Sequence, residues 1–234
     1  MENSGQSDFI STLSHELRTP LTSIRGFADT LLSSGDKLTE DQRRKFLMII
    51  KEQSERLIKM TENLLSAARE SKTELVFKKF SVRPYVENCV NMTTKLSKKN
   101  DFDCRFEPGL PEIEADTDKF QQVILNLLEN ACKYSFDKTT IRLKAFQRGD
   151  FVCISVEDKG LEIPEKDKTR IFEKFVRLSS PLTQKTEGSG LGLYITKQLV
   201  EKMHGKIETV SDAEKTVFTV CFPVSKYDNV TRRG

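Results

Sequence analysis

The chain of 234 residues contains two histidines, His15 and His204. An imidazole titrates near neutral pH, so a histidine that faces solvent can act as a nucleophile or carry a proton. Glu16 adjoins His15, and Thr19 lies one helical turn further on, at i+4 on the same expected face. His15, Glu16 and Thr19 are therefore the first candidates for chemistry, with a plain surface histidine as the alternative.

A second candidate group follows a helical spacing. Asn126, Asn130 and Lys133 are separated by four and three residues, which places them on one stripe of a helix. Asparagine is a poor residue inside a helix because its amide competes for backbone hydrogen bonds. An amide oxygen can coordinate Mg²⁺ and a lysine can meet phosphate, but an ordinary solvated face would show the same spacing.

Two further segments could contact a nucleotide. Asp158 ends an apolar strand and Gly160 allows a sharp turn, so this carboxylate could accept a hydrogen bond from an exocyclic amine, with an ordinary turn as the alternative. Gly188, Gly190 and Gly192 precede an amphipathic helix, where backbone N–H groups can close on phosphate. A polar loop precedes these glycines in place of a strand, which argues against a Rossmann site.

Two long helices must position His15. Apolar residues recur at alternating spacings of three and four, which is typical of coiled-coil seams. The first seam is Ile10, Leu13, Leu17, Pro20, Ile24, Phe27 and Leu31, and the second is Phe46, Ile50, Gln53, Leu57, Met60, Leu64 and Ala67. On that register His15 faces outward, and Pro20 should bend the helix within a turn of it. Thr39 and Gln42 resemble a capping box at the start of the second helix.

One hairpin cannot cover both of these seams. We therefore expect a homodimer through residues 9–70, in which two all-α hairpins form a four-helix bundle. The heptads stop around Glu70–Thr73, so we place a boundary between a domain of residues 1–72 and a domain of residues 73–234.

The second domain mixes helical and strand patterns without regular βαβ repetition, which favours an α+β two-layer sandwich. Residues 146–151 resemble the turn of an antiparallel hairpin. Helices are expected near 82–97, 118–134, 165–176 and 191–203, and strands near 102–106, 140–147, 151–157, 206–210 and 216–222. His204 is expected at the C-terminal end of the last helix.

Composition excludes several protein classes. Five cysteines without a Cys-x-x-Cys pair favour reduced, mostly buried thiols over a disulfide framework or a zinc site. A net charge of +3 is too small to indicate nucleic-acid binding, and no apolar stretch is long enough for a membrane span. We expect a cytoplasmic chain that contacts neither nucleic acid nor membrane. The first helical pattern starts abruptly just before Phe9, so we expect the chain to be a fragment of a longer protein. A membrane anchor in that longer protein is compatible with this expectation.

Residues 14–21 read Ser-His-Glu-Leu-Arg-Thr-Pro-Leu. This segment resembles the phosphoacceptor motif of bacterial two-component sensor histidine kinases. The resemblance implies that His15 is autophosphorylated and that Glu16 is the general base. It also implies that Thr19 orients a water molecule for the reverse, phosphatase reaction on the partner.

The elements after residue 73 resemble the ATP-binding domain of the same kinases, which is of the GHKL ATPase type that also includes DNA gyrase. The resemblance spans about residues 8–223. It implies that ATP and Mg²⁺ are bound and that the segment from Ile171 to Arg177 anchors a lid over ATP. For the metal and the phosphates, the resemblance implies Asn130 as the Mg²⁺ ligand with Asn126 assisting, Lys133 on phosphate and Arg177 on the γ-phosphate. For adenine, it implies that Tyr134 packs on the ring and that Asp158, with Gly160 beside it, binds the amine. For the lid, it implies Phe172 and Phe175 as anchors and Gly188, Gly190 and Gly192 at the far end.

The sequence departs from this family in two places. Glu162 stands where a second glycine is usual, and the hairpin from Ser211 to Thr216 lacks the usual glycine-rich turn. We expect a kinase that phosphorylates His15 and passes the phosphoryl group to an aspartate of a response-regulator receiver domain. Since Glu162 could weaken ATP binding, one alternative is a degenerate kinase that acts mainly as a phosphatase or scaffold. The other is an ATP-driven clamp like the gyrase relatives.

Overall fold

The computed structural model describes residues 2–34, 37–68, 74–97, 99–178 and 190–225. Within these ranges the description excludes the side chains of residues 2–13, 15, 16, 59, 63–68 and 96. The chain divides into two compact units, Met1–Ser71 and Lys72–Gly234.

The first unit is a pair of helices, α1 (Glu2–Ser34) and α2 (Glu40–Ala68). The two helices pack through the expected seam, in which the Phe27 and Phe46 rings lie 5.1 Å apart between centroids. Every described seam residue is buried or half-buried. Helix α1 continues on both sides of Pro20, and the bend at this residue stays a prediction.

The start of α2 has the predicted capping box. The Thr39 backbone N–H donates to the Gln42 side-chain oxygen at 3.0 Å, and the Gln42 backbone N–H donates to the Thr39 hydroxyl at 3.2 Å. These two bonds satisfy backbone donors that the first turn of a helix cannot pair internally.

Residues 74–97, 99–178 and 190–225 of the second unit form two sheets. A small antiparallel sheet joins β1 (Phe77–Phe80) and β3 (Ile113–Asp116). The main sheet has the order β2-β4-β5-β7-β6, in which β2 and β4 are parallel and the other neighbours are antiparallel. Its strands are β2 (Asp101–Phe106), β4 (Thr140–Arg148), β5 (Phe151–Asp158), β6 (Lys206–Ser211) and β7 (Thr216–Pro223).

In the described part of this unit, three α-helices complete the two-layer α+β sandwich that the sequence predicts. They are α3 (Val82–Leu96), α4 (Thr117–Tyr134) and α5 (Gly192–Lys202). Helix α4 begins at its cap Asp116, whose carboxylate accepts backbone N–H bonds from Asp118 and Lys119. The core between helices and sheet includes Phe120, Ile124, Leu127, Leu128, Val152, Ile154, Val156, Val220 and Phe222.

The predicted hairpin turn near residue 149 is confirmed. Arg148 of β4 pairs with Phe151 of β5, so the connection is the two residues Gly149 and Asp150. Gly149 has φ of 60°, a left-handed conformation that glycine adopts without steric cost.

The prediction of a helix over residues 165–176 is wrong. This segment instead forms two short 3₁₀ helices, Glu165–Asp167 and Arg170–Phe172. Phe175 follows with φ of 66°, and a residue in this left-handed conformation cannot continue a right-handed helix. The apolar spacing of the segment arises because Ile171 and Phe172 both enter the core.

The expectation of five reduced thiols is also wrong. Cys153 and Cys221 form a disulfide, whereas Cys89, Cys104 and Cys132 are free. The register of β5 and β7 places the two bonded cysteines directly opposite each other, with Cα atoms 4.0 Å apart. A separation of 68 residues along the chain hides this pairing from sequence analysis.

His204 lies just beyond the last helix and not within it. Helix α5 ends at Lys202, and His204 has φ of 60° in the turn that follows. Its ring stacks on Phe77 of β1, with centroids 5.7 Å apart. His204 therefore lies at the C-terminal end of α5, and its ring contacts the small sheet.

Among the helices that the structure describes, none is long and apolar enough to cross a bilayer.

Candidate functional site

The backbone of His15 and Glu16 belongs to α1, but their side chains lie outside the described residues. The outward orientation of His15 therefore stays a prediction. One turn further along α1, Thr19 is exposed and Pro20 is buried, as the seam register requires.

In the second unit, Asn126 connects two helices. Its amide nitrogen donates to the Thr196 hydroxyl of α5 at 2.5 Å, and that hydroxyl donates to the Gly192 carbonyl at 3.0 Å. A Cβ atom on Gly192 would lie 2.7 Å from Asn126 Oδ1, so a larger residue there would force the Asn126 side chain to shift. Asn126 thus holds α4 against the first turn of α5.

Asn130, one turn further along α4, has an unsatisfied amide. Its nitrogen Nδ2 is buried and has no hydrogen-bond partner among the described residues. Leaving such a group unpaired costs about 1–3 kcal/mol, so the position suits a ligand that supplies the missing partner. Because a half-turn of an amide exchanges its two ends, the same side chain can present its oxygen to a cation.

The end of α4 brings together three predicted residues. Lys133 Nζ lies 5.3 Å from the centroid of the Tyr134 ring. Burial raises the pKa of the Tyr134 hydroxyl, and the positive charge of Arg177 acts in the opposite direction. A cation, an aromatic ring and a guanidinium therefore share this corner of the unit.

Asp158, at the end of β5, is a buried carboxylate with 4% of its surface exposed. Burial raises its pKa to about 7, and the neighbouring charge of Glu157 adds to the effect. Within the described part of the chain, no hydrogen bond or ion pair satisfies this carboxylate. Asp158 can therefore accept a hydrogen bond from a ligand.

The turn after Asp158 lies against the end of α4. Gly160 forms an isolated β-bridge with Ser135, and the Phe136 N–H donates to the Lys159 carbonyl at 2.9 Å. A Cβ atom on Gly160 would lie 2.2 Å from the Tyr134 carbonyl oxygen, so this close approach requires glycine. Tyr134 and Asp158 are thereby brought to one place.

Phe172 and Phe175 take different positions. Phe172 is buried, and its ring meets Phe218 edge to face at 6.3 Å between centroids. The Phe175 N–H donates to the Gly190 carbonyl at 2.9 Å, and a Cβ atom on Gly190 would lie 2.7 Å from the Phe175 backbone. Phe175 and Gly190 are therefore joined through their backbones, whereas Gly188 lies outside the described residues.

Three hydroxyl side chains that the sequence does not single out hold these segments in place. Thr196 holds Asn126, and Ser211 and Thr216 bond the backbone just after Gly160. A hydroxyl inside a helix or strand gives no distinctive pattern, so only the tertiary contacts identify these residues. Among the described residues, no group of three or more His, Cys, Asp or Glu side chains is placed to hold a metal ion.

Chemically, this part of the second unit offers one buried acceptor, one unpaired amide, an aromatic ring and two cations. That set matches a ligand with an amine-bearing ring at one end and negative charge at the other. A nucleotide has these two ends.

Two protein-family models match the chain. The model described as "His Kinase A (phospho-acceptor) domain" matches residues 5–72, and the model described as "Histidine kinase-, DNA gyrase B-, and HSP90-like ATPase" matches residues 115–226. Every site residue predicted above falls within one of these two ranges.

Curated relatives cover both ranges. The circadian input-output histidine kinase CikA of Synechococcus elongatus is 30% identical over 94% of this chain and 30% of its own length. The sensor protein KdpD of Clostridium acetobutylicum is 33% identical over 88% of this chain and 23% of its own length. The chain thus spans less than a third of the length of either relative.

Solved structures share the fold. The crystal structure of full-length ShkA in complex with AMPPNP is 27% identical to this chain, with a TM-score of 0.68. The match covers 92% of this chain and 45% of ShkA.

Proposed function

Because this chain belongs to the histidine kinase family, we propose that it transfers the γ-phosphoryl group of ATP to His15 and then to an aspartate of a response-regulator receiver domain. One observation carries the proposal. A single chain holds a phospho-acceptor segment within residues 5–72 and an ATPase segment within residues 115–226, which are the two halves of a donor and acceptor pair.

In this proposal the second unit binds the nucleotide at the end of α4. Asp158 accepts a hydrogen bond from the adenine amine, Tyr134 packs on the ring, and Gly160 keeps the floor of the site open. The buried carboxylate without a described partner supports the first role. Phe172 and Phe175 anchor a lid, and Gly188, Gly190 and Gly192 form its far end.

The phosphates are assigned to the polar stripe of α4 and to Arg177. Lys133 contacts phosphate, and the guanidinium of Arg177 stabilises charge on the γ-phosphoryl group. Asn130 is the proposed Mg²⁺ ligand with Asn126 assisting. The unpaired Asn130 atom is the nitrogen Nδ2, so this role requires the flipped amide, which places the oxygen at the unpaired position. Bound Mg²⁺ would neutralise part of the phosphate charge.

The transfer to His15 forms a nitrogen–phosphorus bond and breaks the bond between the γ-phosphorus and the bridging oxygen of ATP, so ADP leaves. The attacking imidazole must be neutral, and Glu16 takes the proton from its other ring nitrogen. In the second transfer, the receiver aspartate takes the phosphoryl group and His15 returns to its free form. In the opposing phosphatase reaction, Thr19 orients the water molecule that removes the phosphoryl group from the response regulator.

We propose that the first unit acts as a homodimer. Leu21 and Leu32 of α1 are 53% and 83% exposed, and Leu47 and Ile58 of α2 are 53% and 57% exposed. Each pair is separated by eleven residues, or three helical turns, so each helix carries an apolar flank beside its seam. A second hairpin would cover these flanks in a four-helix bundle.

The domain of residues 1–72 would therefore carry dimerisation and the acceptor, and the domain of residues 73–234 would carry catalysis. We place both in the cytoplasm, where ATP and response regulators are found.

The central test uses both histidines of the chain. Incubation with γ-labelled ATP should give an acid-labile phosphoprotein with the wild-type chain and none with His15→Gln, while both bind nucleotide equally. His204→Gln is the matched control and should label normally, because His204 only stacks on Phe77. Labelling that persists in His15→Gln would place the acceptor elsewhere and refute the proposal.

A degenerate kinase that acts mainly as a phosphatase or scaffold is the second candidate, motivated by Glu162. Titration calorimetry with Mg²⁺ and an ATP analogue separates the two functions. Absence of binding at millimolar nucleotide would favour the scaffold, whereas binding combined with labelling of His15 would exclude it.

A further inference from the structure

The backbone on both sides of Glu162 is held by two hydroxyl groups. The Ile163 N–H donates to the Ser211 hydroxyl oxygen at 2.8 Å, and the Thr216 hydroxyl donates to the Leu161 carbonyl at 3.1 Å. The two hydroxyls also bond each other, with oxygens 2.6 Å apart. All of these contacts are buried or half-buried, so they are shielded from competing water.

The hydroxyl protons give this chain of hydrogen bonds a single direction. The one hydroxyl proton of Thr216 is used on the Leu161 carbonyl, so Thr216 must accept from Ser211. The order is therefore Ile163 N–H to Ser211, Ser211 to Thr216, and Thr216 to the Leu161 carbonyl. Ser211 therefore accepts a hydrogen bond from the Ile163 N–H and donates its own hydroxyl proton to Thr216.

The position of the pair connects it to Asp158. In the sheet register, Asp158 of β5 lies opposite Thr216 of β7, and Thr216 lies opposite Ser211 of β6. The three residues therefore form one row across three strands. The other side of the turn is held by the Ser135–Gly160 bridge.

These hydrogen bonds connect the two places where the sequence departs from the family pattern, which are Glu162 and the hairpin from Ser211 to Thr216. Glu162 is exposed and is absent from the described non-glycine residues with positive φ, so its backbone does not require glycine. The hairpin that lacks the glycine-rich turn carries Ser211 and Thr216 at the ends of its two strands. The hydroxyls of that hairpin thus fix the segment that contains Glu162.

We propose that Ser211 is a positioning residue for nucleotide binding. It holds Ile163 directly and Leu161 through Thr216, and so keeps residues 161–163 in the conformation that leaves the Asp158 turn open to adenine. This role rests on the proposed function, since it concerns the same nucleotide site. Ser211 itself does not touch the nucleotide.

The test compares three variants of the full chain. Ser211→Ala removes the acceptor of the Ile163 N–H, Ser211→Thr keeps a hydroxyl, and Thr209→Ala removes a hydroxyl on the same strand that bonds only the Val217 carbonyl of the neighbouring strand. Amide exchange at Ile163, the KM for ATP and the kcat of His15 phosphorylation are measured for each.

In Ser211→Ala, exchange at Ile163 should become about tenfold faster and the KM for ATP should rise about tenfold, with kcat within about twofold of wild type. Ser211→Thr should restore the KM, and Thr209→Ala should leave it unchanged.

An unchanged KM in Ser211→Ala would overturn the proposal, as would an equal rise in Thr209→Ala, which would indicate general destabilisation. If the wild-type chain bound no nucleotide, the proposed function would fail together with this role. That failure is distinguishable because it appears in the wild type and not only in the variant.

Discussion

At the scale of single residues, burial determines the chemistry of Asp158. A carboxyl group with a pKa of about 7 is half ionised at neutral pH, whereas an Asp in an unfolded chain ionises near pH 3.9. The folded chain therefore holds a charge that its surroundings disfavour. A ligand amine would relieve this cost, because a hydrogen bond to the ionised form stabilises it.

The variant Asp158→Asn should therefore lose function and gain stability. We expect Mg-ATP binding to weaken at least about tenfold because the charged acceptor is lost. Since the folded-state pKa is raised, the stability of the wild type falls as pH rises from about 4 to about 7 and then levels off. The variant lacks this slope, and above pH 7 it should be about 1–3 kcal/mol more stable than the wild type.

Denaturant unfolding at pH 5 and pH 8 measures the slope, and calorimetry measures the affinity. Asp101→Asn, a substitution of an exposed aspartate, serves as the control and should change neither quantity. A stability difference between Asp158→Asn and wild type that does not grow with pH would contradict the argument.

At the scale of elements, Gly190 is required for the junction with Phe175. Its φ is 66°, and an added Cβ would lie 2.7 Å from the Phe175 backbone. Gly190→Ala should cost about 2 kcal/mol or more and speed amide exchange at Phe175, whose N–H bonds the Gly190 carbonyl.

Gly149→Ala is a matched control for that prediction. Gly149 has a similar φ of 60°, but nothing lies within 4 Å of an added Cβ. This control should show only the backbone cost of about 1 kcal/mol, without faster exchange at Phe175. Equal losses in the two variants would show that the contact with Phe175 contributes nothing.

Elements whose causes are local could be predicted from the sequence. The capping box of Thr39 and Gln42, the two-residue hairpin at Gly149 and the polar stripe of α4 each depend on neighbours within a few residues. The candidate residues Asn130 and Asp158 were found for the same reason, since spacing and strand ends are visible in one sequence.

Features set by distant contacts could not be predicted. The left-handed Phe175 is bonded to Gly190, which lies 15 residues further along the chain, and it ends what the sequence presents as a helix. The strand β3 has four residues and is defined by its pairing with β1, a segment far away in the sequence. Ser211 and Thr216 look like ordinary strand residues until the register brings them beside Ile163 and Leu161.

At the scale of the whole molecule, the exposed flanks of α1 and α2 predict the oligomeric state. Leu47→Glu should shift the chain from dimer to monomer, because a buried charge without a partner destabilises an interface. Light scattering over a concentration series measures the shift. Val210→Glu, at an equally exposed apolar position in the second unit, should remain dimeric. A Leu47→Glu chain that stays dimeric would refute the proposed interface.

The Cys153–Cys221 bond makes a covalent ring of the chain between β5 and β7, and this ring includes Asp158, Phe175 and Gly190. A protease that cuts once inside the ring leaves both pieces attached. After such a cut, electrophoresis should show one band of full mass without reductant and two shorter bands with it. Oxidation of a single pair of sulfur atoms therefore decides whether a nick in the second unit separates the chain into fragments.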